Sequence, residues 1–203
     1  MADKYPDFAT LERHEQSGVA YRIGVRRAQP AFAIVAPHGG GIEPGTSEIA
    51  DAVAGLSHSF YAFEGLKVSG NHDLHITSTR FDEPICLTLI AVSRVVVTIH
   101  GEHSEEDGEG VFVGGLDTPL GDHIGAVLIR EGFDVRRHPN PHLQGREAAN
   151  LCNRGLSKAG VQLELSKAVR RTMFESLSRE GRTLTTVRFD DFMDAVCEAL
   201  DTA

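Results

Sequence analysis

The sequence predicts a three-layer α/β/α fold built on a mostly parallel, mixed central sheet, in one domain spanning residues 1–203. Two runs, the wholly apolar AFAIVA at 31–36 and the mostly apolar VVVTI at 95–99, carry this reading, because strands without a polar face need cover on both sides. Segments of helical period separate the strand-like runs, and Gly, Pro and Asp punctuate the boundaries.

Residues 31–36 read as a strand ending at Pro37. GTSEIADAVAGL follows as a helix, with Ile49, Val53 and Leu56 on one face. SFYAFEG (59–65) and DLHITST (73–79) read as strands. DEPICLTLIAVSR reads as a helix capped by Asp82 with Pro84 in its first turn. VVVTIHG (95–101) is the clearest strand. After the acidic loop GEHSEEDGEG come a short strand, VFVGG, and a helix from Asp117 and Pro119 to Gly132. FDVRR is a further strand, GREAANLCNRGL a helix, VQLELS the last strand, 178–186 an exposed loop, and 188–203 a final amphipathic helix.

The chain is 41% hydrophobic and 24% charged, the usage of a folded domain and not of a disordered one. Its net charge of −9 disfavours nucleic acid as a general partner, since such binding comes mainly from Lys and Arg on phosphates. The first sixteen residues are polar and carry no apolar run of membrane or signal length, so the cytoplasm is the expected compartment and no membrane partner is expected. Cys86, Cys152 and Cys197 form no C-x-x-C pair and read as small core residues in a reducing compartment. Oligomeric state is not legible.

In open α/β sheets ligands bind beyond the carboxyl ends of the strands, which directs attention to polar residues at strand exits. His38 and His100 both leave apolar strands, and both precede a glycine. Glu43 stands five residues after His38 across a glycine-rich loop. Two imidazoles and a carboxylate are the ligand set of a catalytic zinc that keeps a position for water. Glu164 lies on the polar side of VQLEL and suits a general base. Arg80 and Arg154 offer planar guanidiniums to a substrate carboxylate. Each residue also has a plainer reading: the chain has ten histidines, Glu164 fits an exposed edge strand, and the arginines fit surface ion pairs. His103 with Glu105, Glu106 and Asp107 reads as a solvated acidic run. HGGGIEPG lacks the Lys and Ser/Thr that close a P-loop.

Taken in order, PHGGGIEPGTSEIA, FYAFEG, LHITSTRFDEP, VVVTIHG, GGLD and NRGLSKAGVQLELS resemble the poly-γ-glutamate hydrolase family, known from bacteriophage and from bacterial relatives, over about Val19 to Arg171. The resemblance implies a zinc carboxypeptidase-like core and hydrolysis of γ-glutamyl amide bonds in a polyanionic polymer. It implies zinc on His38, Glu43 and His100, Glu164 as general base, and Arg80 and Arg154 on substrate carboxylates. This chain has four residues between His38 and Glu43, where the carboxypeptidase pattern has two. The other readings are a phage-related replication or accessory protein and a zinc amidase acting on peptidoglycan stem peptides or small γ-glutamyl compounds.

Overall fold

The computed structural model describes residues 3–102 and 108–203. Its seven strands are β1 (Tyr21–Arg26), β2 (Gln29–Gly40), β3 (His58–Gly65), β4 (Val95–Gly101), β5 (Gly110–Gly115), β6 (Asp134–Arg136) and β7 (Val161–Leu165). They form one sheet in the order β1-β3-β2-β4-β7-β5-β6. The central strands β3, β2, β4 and β7 run parallel, while β1 and β5 join antiparallel to β3 and β7. The mixed three-layer α/β architecture is the one the apolar strands predict.

The helices are α1 (Phe8–His14), α2 (Thr46–Ala54), α3 (Pro84–Ile90), α4 (Thr118–Arg130), α5 (Lys167–Met173) and α6 (Val187–Asp201). Strand alternation sorts the core into two layers. Ile34, Val97, Ile99, Leu163 and Leu165 pack with Ile49, Ile124, Leu128 and Phe192 of α2, α4 and α6. On the other face Ala33, Val35, Phe63 and Val96 pack with Leu11 of α1, Phe81, and Leu89 of α3. Burying each large apolar side chain contributes roughly 1.5–3 kcal/mol, so both layers are needed to hold the sheet. No helix among the described residues is long and apolar enough to cross a membrane.

Several local expectations change. Residues 73–79 are not a strand. A 3-10 turn at Asn71–Leu74 leads into a segment whose Thr77 amide donates to Asp3 Oδ2 (2.8 Å) and whose Thr77 carbonyl accepts from Arg80 (2.7 Å), so no sheet ladder forms. The helix expected at 145–156 is only a 3-10 turn, Leu151–Arg154. There the Asn150 side chain accepts from the Cys152 amide, and the Asn153 amide group donates to Gly145 O, competing with helical bonds. Glu83, not Asp82, caps α3, accepting from the Ile85 and Cys86 amides, while Asp82 takes the Phe8 amide. The loop at 178–186 holds a buried arginine, Arg182, paired with Glu48 at 2.8 Å. Helices α1 and α5 and strand β1 carry too little periodic signal to stand out; α1 rests on its Asp7 cap and the fully buried Leu11. The acidic run from His103 to Asp107 lies outside the described residues.

Candidate active site

Three adjacent parallel strands deliver the central side chains at their carboxyl ends: His38 on β2, His100 on β4 and Glu164 on β7. Because Val97, Ile99, Leu163 and Leu165 point into the α2/α4/α6 layer, Thr98, His100, Gln162 and Glu164 face the opposite side. The chain then folds back after β2, with the Glu43 amide donating to His38 O at 2.8 Å. Gly40 makes this return with φ +63°, where a Cβ would lie 2.6 Å from Gly65 O. The result is a cleft of about 400 Å³ whose walls include His38, Glu43, His75, Ser78, His100 and Glu164.

The donor atoms meet at one point. His38 Nε2 lies 2.8 Å from Ile76 O; a carbonyl only accepts, so Nε2 donates there and Nδ1 is the ring nitrogen turned toward Glu43 and His100. That Nδ1 stands 3.0 Å from Glu43 Oε1 and 3.2 Å from His100 Nδ1, and His100 Nδ1 is 3.7 Å from Glu43 Oε2. Acceptors facing one another at these distances require a cation or a proton among them. Tetrahedral ligands at about 2.0–2.1 Å from a metal are about 3.3 Å apart, which matches this triangle, so the residues fit a divalent ion of the kind held by imidazole and carboxylate. His75 is a looser alternative third ligand. Its ligand atom lies within 4.8 Å of those of His38 and Glu43, its Nε2 is 4.0 Å from Glu43 Oε1, and its Nδ1 is bonded to Asp3 at 2.8 Å.

Electrostatics separate the two carboxyls. Burial pushes Glu43 up, but the charge of His38 and hydrogen bonds with His100 and His38 hold it well below the usual carboxylate range. Glu164 is held well above that range by burial, reinforced by the neighbouring charge of Glu43. Gln162 Nε2 donates to Glu164 Oε1 at 2.9 Å and is itself held by Asn150 at 2.9 Å, so the carboxyl is oriented by a chain of amides. Beneath the site lies Arg170, fully buried, donating to Leu165 O (3.2 Å), Pro44 O (2.7 Å) and Glu102 O (2.8 Å). It thereby ties the ends of β7 and β4 to the Glu43 loop.

A family model described as poly-gamma-glutamate hydrolase matches residues 5–195. The chain belongs to this family. The solved structure of a bacteriophage poly-gamma-glutamate hydrolase superposes with a TM-score of 0.95 at 37% identity, covering 99% of this chain and 98% of that one. YndL in a zinc-free form superposes at 0.92 with 32% identity, covering 98% of each chain. In sequence, the SPbeta prophage-derived protein YoqZ of Bacillus subtilis strain 168 is 38% identical over 91% of this chain, which spans 66% of YoqZ. YndL of the same strain is 35% identical over 96% of this chain and 76% of its own length.

Of the residues that the resemblance to the poly-γ-glutamate hydrolase family singled out, His38, Glu43, His100 and Glu164 share one cleft. Arg80 and Arg154 are not among its lining. Arg80 pairs with Asp3, and Arg154 donates to Phe81 O at 2.7 Å. The structure adds residues that spacing did not reveal: His72, His75 and His142 at the cleft wall, Ser78 at 3.3 Å from His100 Nε2, Gln162, Asn150 and the buried Arg170. Gln162 was open to inference, since it shares Glu164's face two residues earlier on the strand.

Proposed function

We propose that this member of the poly-γ-glutamate hydrolase family is a zinc-dependent hydrolase of γ-glutamyl amide bonds, with poly-γ-glutamate as its substrate. The observation that carries the reading is the convergence of His38 Nδ1, His100 Nδ1 and the Glu43 carboxylate, with Glu164 beside His100. His38, Glu43 and His100 would hold the ion. When bound there, zinc polarises a carbonyl and brings water toward a pKa of about 7. Glu164, in its ionised form, takes the proton of the attacking water and returns it to the departing amine nitrogen; burial raises its proton affinity and so favours holding that proton between the two steps. Gln162 keeps one Glu164 oxygen engaged so that the other faces the cleft. The carboxylate-holding role implied for Arg80 or Arg154 requires each to exchange its present partner.

A second reading, a zinc amidase acting on short γ-glutamyl or peptidoglycan peptides, is favoured by one feature. Among the described residues the cleft lining contains Glu43, Glu102, Glu147 and Glu164 but no lysine or arginine. The test is to measure bound metal and to offer purified protein poly-γ-glutamate, α-linked polyglutamate, γ-glutamyl dipeptides and muropeptides. Cleavage of the γ-linked polymer alone supports the first reading, and cleavage of muropeptides in its place supports the second. Absence of bound zinc, with full activity in Glu164→Gln, overturns both.

A further inference from the structure

A chain of net charge −9 that works on a polyanion needs positive potential along the path of its substrate, and among the described residues the cleft lining includes no lysine or arginine. Resting on the functional reading above, we propose that carboxylates of the polymer beyond the scissile bond bind in a second groove, through Arg137 and Arg146.

This groove, of about 340 Å³, lies across one loop from the cleft. Gln144 and Arg146 of that loop face the groove, whereas His142, Leu143 and Glu147 face the cleft. Its walls are the second half of β5 and the α4 face that carries Gly121, Gly125 and Ile129; because Val113 is the register partner of Leu163, the groove opens on the α4 side of the sheet, around the β5 edge from the face that carries Glu164. Strand β6 pairs only with Gly110–Phe112, so beyond Phe112 the edge of β5 meets the loop, with the Gly115 amide donating to Gln144 O at 2.8 Å. Strand β5 adjoins the Glu164 strand, about 4.8 Å away, so a polymer leaving the cleft enters the groove by passing the His142–Glu147 loop and the β5 edge. A polymer of several repeats, at about 3.3 Å or more per extended residue, can follow that path.

The charge of the groove is cationic. Arg136, Arg137 and Arg146 line it against Asp117 and Asp122. Asp117 is committed to capping α4 through the Leu120 amide at 3.2 Å, and Arg136 to Asp134 at 3.2 Å and to the face of Phe112. Arg137 and Arg146 are exposed, and no hydrogen bond or ion pair joins either to another described residue. Two guanidiniums free to accept bidentate partners suit a ligand that carries a carboxylate on every repeat.

The experiment combines Arg137→Gln with Arg146→Gln, two positions outside the catalytic machinery. Binding of fluorescently labelled poly-γ-glutamate is followed by anisotropy on metal-stripped protein, and cleavage of the polymer is measured at low and high salt on zinc-loaded protein. We expect about tenfold weaker Kd and about tenfold higher KM at low salt, a kcat within about twofold, convergence of variant and wild type at high salt, and recovery in the Arg137→Lys, Arg146→Lys pair. Unchanged Kd and KM in the glutamine pair, with wild-type cleavage intact, would retire the groove and leave the hydrolase reading. Arginine-dependent polymer binding by a protein that cleaves nothing would retire the hydrolase reading and leave the groove.

Discussion

His100 and Glu164 are register partners on the neighbouring parallel strands β4 and β7. Their side chains leave the same face of the sheet one strand spacing apart, so the proposed zinc ligand and the proposed acid–base carboxyl are set side by side by backbone pairing alone. Both are buried at the end of a sheet whose other face is packed hydrocarbon, which leaves little freedom for either to drift. Catalytic spacing here is a property of sheet register, and the first expectation follows from it.

Glu164→Gln keeps the size, the strand position and a partner for Gln162, and removes only the ability to carry a proton. It should lower kcat by roughly 10²–10⁴ while leaving zinc affinity within a few fold. Because burial disfavours the ionised form, the metal-free variant should be at least as stable as wild type at pH 7. Single-turnover cleavage with parallel metal titration checks this, and a variant with near-normal kcat would remove Glu164 from the reaction.

Metal removal should cost stability, because it takes away the cation that His38 Nδ1, His100 Nδ1 and the Glu43 carboxylate, crowded together in a buried site, would share. With free zinc at a thousand times Kd the bound form gains about 4 kcal/mol, which for a chain of this size is roughly 10 °C in Tm. A chelator should therefore lower Tm by about that amount and added zinc restore it, while Glu43→Gln should abolish the response. A melting curve indifferent to chelator would contradict the centre.

Acid should destabilise the metal-free protein through His75. Burial, aided by the nearby His38, lowers its pKa to about 4 against the upward pull of Glu43 and Asp3. The unfolded chain, with a histidine near 6.5, binds the proton more readily, so stability is complete above about pH 6.5 and declines as pH falls toward 4. The loss from this group is up to about 3 kcal/mol, and less because a quarter of the ring reaches solvent. Urea midpoints between pH 7 and pH 4.5 should show a slope that His75→Gln makes shallower; identical slopes would count against it.

His38, His100 and Glu164 were legible in the sequence because strand logic exposes them: apolar runs mark the strands, exits mark the ligand end, and alternation marks the face. Other parts of the site obey no local rule. Asp3 reaches His75 across 72 positions, and nothing in the period of either segment announces the pairing. DLHITST alternates like a strand, yet its alternation reflects Leu74 and Ile76 packing under the sheet while its backbone turns toward Asp3. Glu83 displaces Asp82 as a cap because Asp82 is drawn to the Phe8 amide of a distant helix. In KAVRRTM, Arg170 and Arg171 are chemically equal, and only the packing of α5 decides which one is buried under the proposed metal ligands.

Arg170 and Gly101 supply the last test. A Cβ on Gly101 would lie 2.6 Å from the Arg170 guanidinium carbon and 2.9 Å from Glu43 Cβ, so glycine is what lets the arginine and the Glu43 loop pack together. The Gly101 amide also donates to Glu43 Oε2 at 2.8 Å, holding the proposed ligand directly. Arg170→Lys cannot keep three divergent bonds to Leu165, Pro44 and Glu102, and should cost about 2–4 kcal/mol of stability with a zinc affinity 10–100-fold weaker. Gly101→Ala should reproduce the loss of zinc affinity without altering any charge. Chelator competition on folded protein, read beside Tm, separates the outcomes. If Tm falls in both variants while zinc affinity holds, Arg170 supports the fold and does not position the ligands.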